Sequence, residues 1–235
     1  MAKRILNMTA EEMTHATKSE LIEAIAGSEG RVLASETIGI TIPLLTDVTN
    51  AEFAASMGAD LILLNMFDVQ EPKIMALPEV EKEETVREVK RLTGRMVGIN
   101  LEPVEESYAS DNKETLWEMS AGRYATVENA IQAQKMGVDL IVLTGNPGNG
   151  VSNPAIISSL KAISEAVGEK IMLAAGKMHA SGIIGEGGEN IITKEDIRQF
   201  AEAGADIILL PAPGTVPGIT TARASRRPSG LRKTN

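Results

Sequence analysis

The chain has 235 residues with 43% hydrophobic but only 3% aromatic content, enough for one barrel-sized domain with an aliphatic core. A net charge of −9 argues against nucleic acid as the main partner. The absence of cysteine excludes disulfides, thiolate catalysis and thiolate metal sites.

Taken in order, the basic start Lys3-Arg4 has no apolar run behind it of the signal-peptide kind. No stretch approaches the ~20 apolar residues of a membrane span. A cytoplasmic protein that does not engage membranes is expected. A helix is predicted over 9–26, opened by the capping-box spacing of Thr9 and Glu12. A first strand follows over 32–34, stopping at Ser35-Glu36-Thr37. Thr49 or Asn50 caps the next helix, over 51–57. A strand over 61–64 ends at Asn65-Met66-Phe67-Asp68, and after an acidic, Pro-punctuated connection comes a helix over 85–92. A strand over 96–101 ends at Glu102-Pro103. The polar stretch 104–124 is a long excursion of the sort that is usually functional or mobile. Next come a helix over 127–136, a strand over 140–143, and the small-residue run Thr144-Gly145-Asn146-Pro147-Gly148-Asn149-Gly150-Val151-Ser152. Asn153 as N-cap with Pro154 as the first helical residue starts a helix to 167. A strand over 171–175 ends at Gly176-Lys177-Met178-His179. Thr193 caps a helix with Glu195 and Asp196 in its first turn and an amphipathic run over 197–203, and a strand over 207–210 ends at Pro211-Ala212-Pro213-Gly214-Thr215.

One segment is written three times: Met57-Gly58-Ala59-Asp60-Leu61, Met136-Gly137-Val138-Asp139-Leu140 and Ala203-Gly204-Ala205-Asp206-Ile207. Each copy ends an amphipathic run, places Gly where a helix terminates in a left-handed residue, and opens an apolar run suited to a strand buried on both faces. The copies lie about 79 and 67 residues apart, roughly two βα units each. The fold class is therefore α/β: a TIM-type (β/α) barrel with six βα units and an extra N-terminal helix. It is incomplete at the C-terminus, since the closed form has eight units in about 250 residues. Residues 1–220 are expected to form one domain. Residues 221–235 carry Arg223, Arg226, Arg227, Arg232 and Lys233 with no acid. They read as a basic non-core tail, the mark of a frameshift or truncation, with a functional basic tail as the alternative. The open sheet edges this leaves would favour a homo-oligomer.

In such folds ligands sit at the carboxyl ends of strands, which selects the candidate site. Thr144, Gly145, Asn146, Gly148, Gly150 and Ser152 lead into a helix N-terminus and suit a phosphate or carboxylate; a plain Gly turn is the alternative. Asn65, Asn100, Gly214 and Thr215 join them as substrate contacts. Lys177 could pair with a substrate anion, form a Schiff base or simply reach solvent. His179, two residues on, and Glu102 are candidates to move a proton. Glu36 and Asp68, with Glu102, are acids of the type that hold Mg²⁺; no other cofactor is named by the residues. Asp60, Asp139 and Asp206 fall at strand starts and read as turn structure.

Thr144-Gly145-Asn146-Pro147-Gly148, Gly176-Lys177-Met178-His179 and Pro211-Ala212-Pro213-Gly214-Thr215-Val216-Pro217-Gly218 together resemble a bacterial barrel family. Its members are labelled phosphoenolpyruvate phosphonomutase-like or haloacid-dehalogenase-like hydrolase. The resemblance covers about residues 1–220. The first label implies Mg²⁺ held by strand-end acids and an enolate-forming substrate, although that superfamily's Lys-Cys loop is absent. The second implies a hydrolase with an Asp-x-Asp nucleophile pair, and Thr46-Asp47-Val48-Thr49 lacks the second Asp. The reading is a lyase or isomerase of a small phosphorylated or carboxylated metabolite. The alternatives are a non-catalytic sugar-phosphate sensor or an inactive fragment.

Overall fold

A computed structural model of the chain describes residues 3–105, 119–145, 150–176, 193–210 and 212. Six strands form one sheet: β1 (Ala34–Ile38), β2 (Leu61–Asn65), β3 (Met96–Leu101), β4 (Leu140–Leu143), β5 (Met172–Gly176) and β6 (Ile207–Leu209). Their order in the sheet is their order in the chain, and every pairing is parallel. Two helices precede β1, namely α1 (Ala10–His15) and α2 (Lys18–Gly27). One further helix leads into each later strand: α3 (Asn50–Ser56), α4 (Thr85–Thr93), α5 (Val127–Met136), α6 (Asn153–Val167) and α7 (Lys194–Glu202). Consecutive parallel strands joined by helices curl the sheet into an incomplete barrel.

The two faces of the sheet carry different cores. Ile62, Leu64, Val97, Ile99, Leu101, Ile141, Leu143, Leu173 and Ala175 pack outward on α3 to α7. Leu61, Leu63, Met96, Leu140, Val142, Met172 and Ala174 face the concave side, where Ile5, Met13, Leu21 and Ala24 of the N-terminal segment meet them. Strict alternation along each strand produces this division. Each fully buried Leu or Ile contributes roughly 1.5–3 kcal/mol. The N-terminal segment closes the rim where the strands begin. There Ala10 leaves no room for a Cβ at Gly94, and Lys18 pairs with Asp206 at 2.7 Å.

The thrice-written segment folds as expected at its glycines: Gly58, Gly137 and Gly204 have φ of +100°, +87° and +108°, a region that costs a residue with a Cβ. Its aspartates do more than shape a turn. The Asp60 N–H donates to the Leu33 carbonyl at 2.8 Å, and its Oδ2 accepts from the Leu33 N–H at 2.8 Å. Asp139 makes the same two bonds to Val97, and Asp206 to Leu173. Each aspartate thus clamps an even-numbered strand to its predecessor.

Three local expectations are corrected. The helix over 9–26 is two helices, because Thr17 and Glu20 form a second capping box and the linking Ala16 and Thr17 are extended. The first strand is displaced to Ala34–Ile38, so Glu36 and Thr37 lie within it rather than beyond it. Ser152, not Asn153, caps α6: its hydroxyl accepts from the Ala155 N–H at 3.2 Å, and Pro154 falls one residue inside the helix. The basic tail over 221–235 lies outside the described residues.

Candidate functional site

At the carboxyl rim the concave face turns from apolar to polar. Glu36 shares the face of Leu63, its partner in the register. Asn65 follows Leu63 by two residues, and Asn100 is in register with Val142. By the same alternation Glu102 and Thr144 extend the concave row beyond β3 and β4. Asn100, Glu102 and Thr144 are buried. These candidates from β1 to β4 therefore share one rim and one face. Lys177, His179, Asn146, Gly148, Gly214 and Thr215 lie outside the described residues.

Three of these side chains form a relay. The Asn65 Nδ2 donates to Glu36 Oε1 at 2.6 Å, and the Asn100 Nδ2 donates to Asn65 Oδ1 at 3.0 Å. The Met66 N–H also donates to Asn65 Oδ1, at 2.8 Å. Met66 has a φ of +56°, an uncommon conformation for a side chain of its size and of the kind found at functional sites. Among the described residues the buried Asn100 Oδ1 has no hydrogen-bond partner. Such an orphan acceptor costs roughly 1–3 kcal/mol.

Glu102 belongs to a second network. The Arg123 Nη2 donates to Glu102 Oε1 in an ion pair whose side chains are 15% and 11% exposed. The backbones of Glu102 and Arg123 are bonded as well. Arg123 also lends its charge to Asp68. Burial alone would raise the Asp68 carboxyl. Hydrogen bonds from the Ser120 hydroxyl and the Glu71 and Gln70 N–H groups outweigh it, together with Arg123, and hold the group below the usual carboxylate range. The approach is so close that a Cβ on Gly122 would stand 1.8 Å from Asp68 Oδ1. Asp68 therefore fastens the turn 119–126 to the loop after β2.

That placement bears on the expected metal. Mg²⁺ takes several oxygen donors in near-octahedral array. Glu36 is bonded to Asn65, Glu102 to Arg123, and Asp68 to its own loop. Among the described residues no three His, Asp or Glu side chains are grouped to hold a metal ion. The acids read as a Mg²⁺ set do not assemble as one.

The anion loop is also modified. Val104 and Val151 form an antiparallel bridge, and the Glu105 N–H donates to the Gly150 carbonyl at 3.0 Å. The Ser152 hydroxyl donates to Glu105 Oε1, so the hydroxyl expected to meet a ligand is spent on the protein's own acid. Gly145 abuts Val151, and a Cβ there would come within 3.6 Å of Glu102 Oε2.

Arg123 escaped the sequence reading. Its signal was a lone Arg in Ala121-Gly122-Arg123-Tyr124, just before the helix cap Thr126. Asn129 escaped too: it is buried and ties down the same turn by donating to the Ala121 and Tyr124 carbonyls at 2.8 and 2.9 Å.

The fold and this rim define an incomplete β/α barrel with a polar, concave strand-end face. A model of the family described as "Domain of unknown function (DUF7916)" matches residues 6–233. The chain belongs to that family. No curated protein matches it.

Solved structures share the fold. A phosphonopyruvate hydrolase in complex with oxalate and Mg²⁺ is 16% identical, with a TM-score of 0.51 over 91% of this chain and 70% of its own. The trigonal form of 2,3-dimethylmalate lyase, a PEP mutase/isocitrate lyase superfamily member, is 14% identical. Its TM-score is 0.50 over 92% of this chain and 75% of its own. Two further structures, one of them the triclinic form of that lyase, are spanned over 65% and 62% of their length. At these identities the likeness concerns the fold. Among the described residues no helix is long and apolar enough to cross a membrane.

Proposed function

We propose that the chain is a lyase- or isomerase-type enzyme that binds a small phosphorylated or carboxylated metabolite at the carboxyl rim. The observation that carries this reading is the convergence of Glu36, Asn65, Asn100, Glu102 and Thr144 on one concave face at successive strand ends, where barrels of this type do their chemistry. The neighbours' fold supports the class, since a lyase and a hydrolase of oxyacids share it.

The roles follow from chemical type. Lys177, the residue after β5, supplies positive charge to the ligand anion and polarises its carbonyl. Glu102 or His179 moves the proton. Asn146 and Gly148, in the loop after β4, add N–H donors, as do Gly214 and Thr215 after β6. The described acids do not form a Mg²⁺ set, so no step is assigned to a metal. A haloacid-dehalogenase type of hydrolysis lacks its nucleophile pair: the chain has no Asp between Glu36 and Thr46, and Asp47 is followed at Thr49 by no second one.

A non-catalytic sensor of sugar phosphates is the second reading. The Glu102–Arg123 ion pair favours it, because the pair occupies one oxygen of the acid and balances its charge. A thermal-shift screen of keto acids and sugar phosphates, followed by turnover assays on the hits, separates the two. The enzyme reading expects a hit whose conversion falls at least about a hundredfold in Glu102→Gln, the usual scale for a general acid or base, with binding retained. Binding without turnover in the parent chain favours the sensor. No hit in either class overturns both.

A further inference from the structure

We infer that Asn100 sets ligand specificity at this rim: its Oδ1 is an acceptor held in one orientation, and the ligand meets it with a hydroxyl. The inference rests on the rim being the ligand site, as proposed above.

An asparagine amide can ordinarily turn over to suit its surroundings, but here two fixed groups prevent it. The Met66 backbone N–H can only donate, so it selects the oxygen of Asn65. The Glu36 carboxylate accepts, so it selects the nitrogen of Asn65. With Asn65 set from both sides, its oxygen can receive only a donor from Asn100, which must present its Nδ2. The Asn100 Oδ1 is then directed away from the relay, buried and without a partner among the described residues. Asn100 itself is 9% exposed.

The surroundings restrict what can satisfy it. Glu36 and Glu102 are also acceptors, and the charge of Arg123 is taken up by Glu102. A carboxylate or phosphate is an anion rich in acceptor oxygens at neutral pH and is repelled by such a face. A hydroxyl donates to it, and a neutral donor suits a neutral acceptor. The ligand's anionic end therefore binds elsewhere on the rim, and a hydroxyl points at β3.

Paired probes on the full chain test this by calorimetry. Glycerol 3-phosphate and propyl phosphate share chain length and charge and differ in hydroxyls; glycerate and propionate form the carboxylate pair. The hydroxylated member of a pair is expected to bind about tenfold tighter, and Asn100→Leu to abolish that preference while sparing the weaker probe. Asn65→Leu, which frees the Asn100 amide to turn, is expected to reduce the same ratio, and serves where Asn100→Leu does not melt cooperatively. Equal affinities within both pairs, or a preference that survives both substitutions, overturn the inference while leaving the anionic rim in place. If no anion binds but glycerol does, in an Asn100-dependent way, the anionic reading fails and the hydroxyl acceptor stands. If glycerol fails as well, both fall. Mg²⁺ binding that is lost in Asn100→Leu overturns the inference, because the oxygen is then a metal ligand.

Discussion

Gly122 lies where the turn 119–126 crosses the Asp68 carboxylate, and a Cβ there would also come within 2.8 Å of the Gln70 nitrogen. Backbone must move to admit it. Gly122→Ala is therefore expected to destabilise the chain by about 1–3 kcal/mol, read from urea unfolding. Asp68 itself carries a pH dependence. Its folded carboxyl is held low, while the unfolded group titrates near 3.9. Its contribution is complete above roughly pH 4 and is lost as pH falls through the lower folded value. Asp68→Asn should flatten the acid limb of the stability curve and leave the limb above pH 5 parallel to the parent's. Sequence identifies Asp68 as a strand-end acid suited to Mg²⁺, and does not show the donors that hold it. Which donors surround a carboxylate is decided by residues about fifty positions away, Ser120 and Arg123, and spacing does not encode them. Lys177 and His179, likewise chosen by position, stand as proposals.

At the scale of elements, the repeated Gly-x-Asp segment was the strongest signal in the chain, and its helix ends, glycine conformations and strands follow it closely. α5, β3 and β4 coincide with the residues expected for them. The role of the aspartates was not legible, because the residue each one bonds lies 27, 42 or 33 residues earlier. The break between α1 and α2 is legible in the capping-box spacing of Thr17 and Glu20. The three clamps are not equivalent. Asp139 also holds Lys90 at 2.7 Å, with both side chains nearly buried; burial is the largest influence on its carboxyl and pushes it up, against the pull of Lys90 and the Val97 N–H. Asp139→Ala leaves the nearly buried Lys90 ammonium with no counter-charge and only a 3.4 Å hydrogen bond to the Gly137 carbonyl, and is expected to cost about 3–5 kcal/mol. Asp60→Ala removes an acceptor from the exposed Leu33 and is expected to cost about 1 kcal/mol. Chemical denaturation of the two variants side by side checks the ordering. Equal losses would mean that the clamp, not the buried ion pair, dominates at β4.

Across the whole molecule, the apolar periodicity dictates a parallel sheet with a helix-covered outer face, and strand alternation then sends every second strand-end residue to the concave side. That is why Glu36, Asn65, Asn100, Glu102 and Thr144 can be picked from sequence and share one rim, whereas Asp68 is tied to the turn 119–126. The beginnings of the strands are closed by the N-terminal helices and the aspartate clamps, so the two rims differ in kind. A ¹⁵N-labelled chain titrated with glycerol 3-phosphate tests this division most directly. The account predicts that the side-chain amides of Asn65 and Asn100 and the backbone amides of Glu102 and Thr144 shift with ligand, while those of Asp60, Asp139 and Asp206 stay in place. Shifts confined to the aspartate rim, or none at the carboxyl rim at saturating probe, would contradict it.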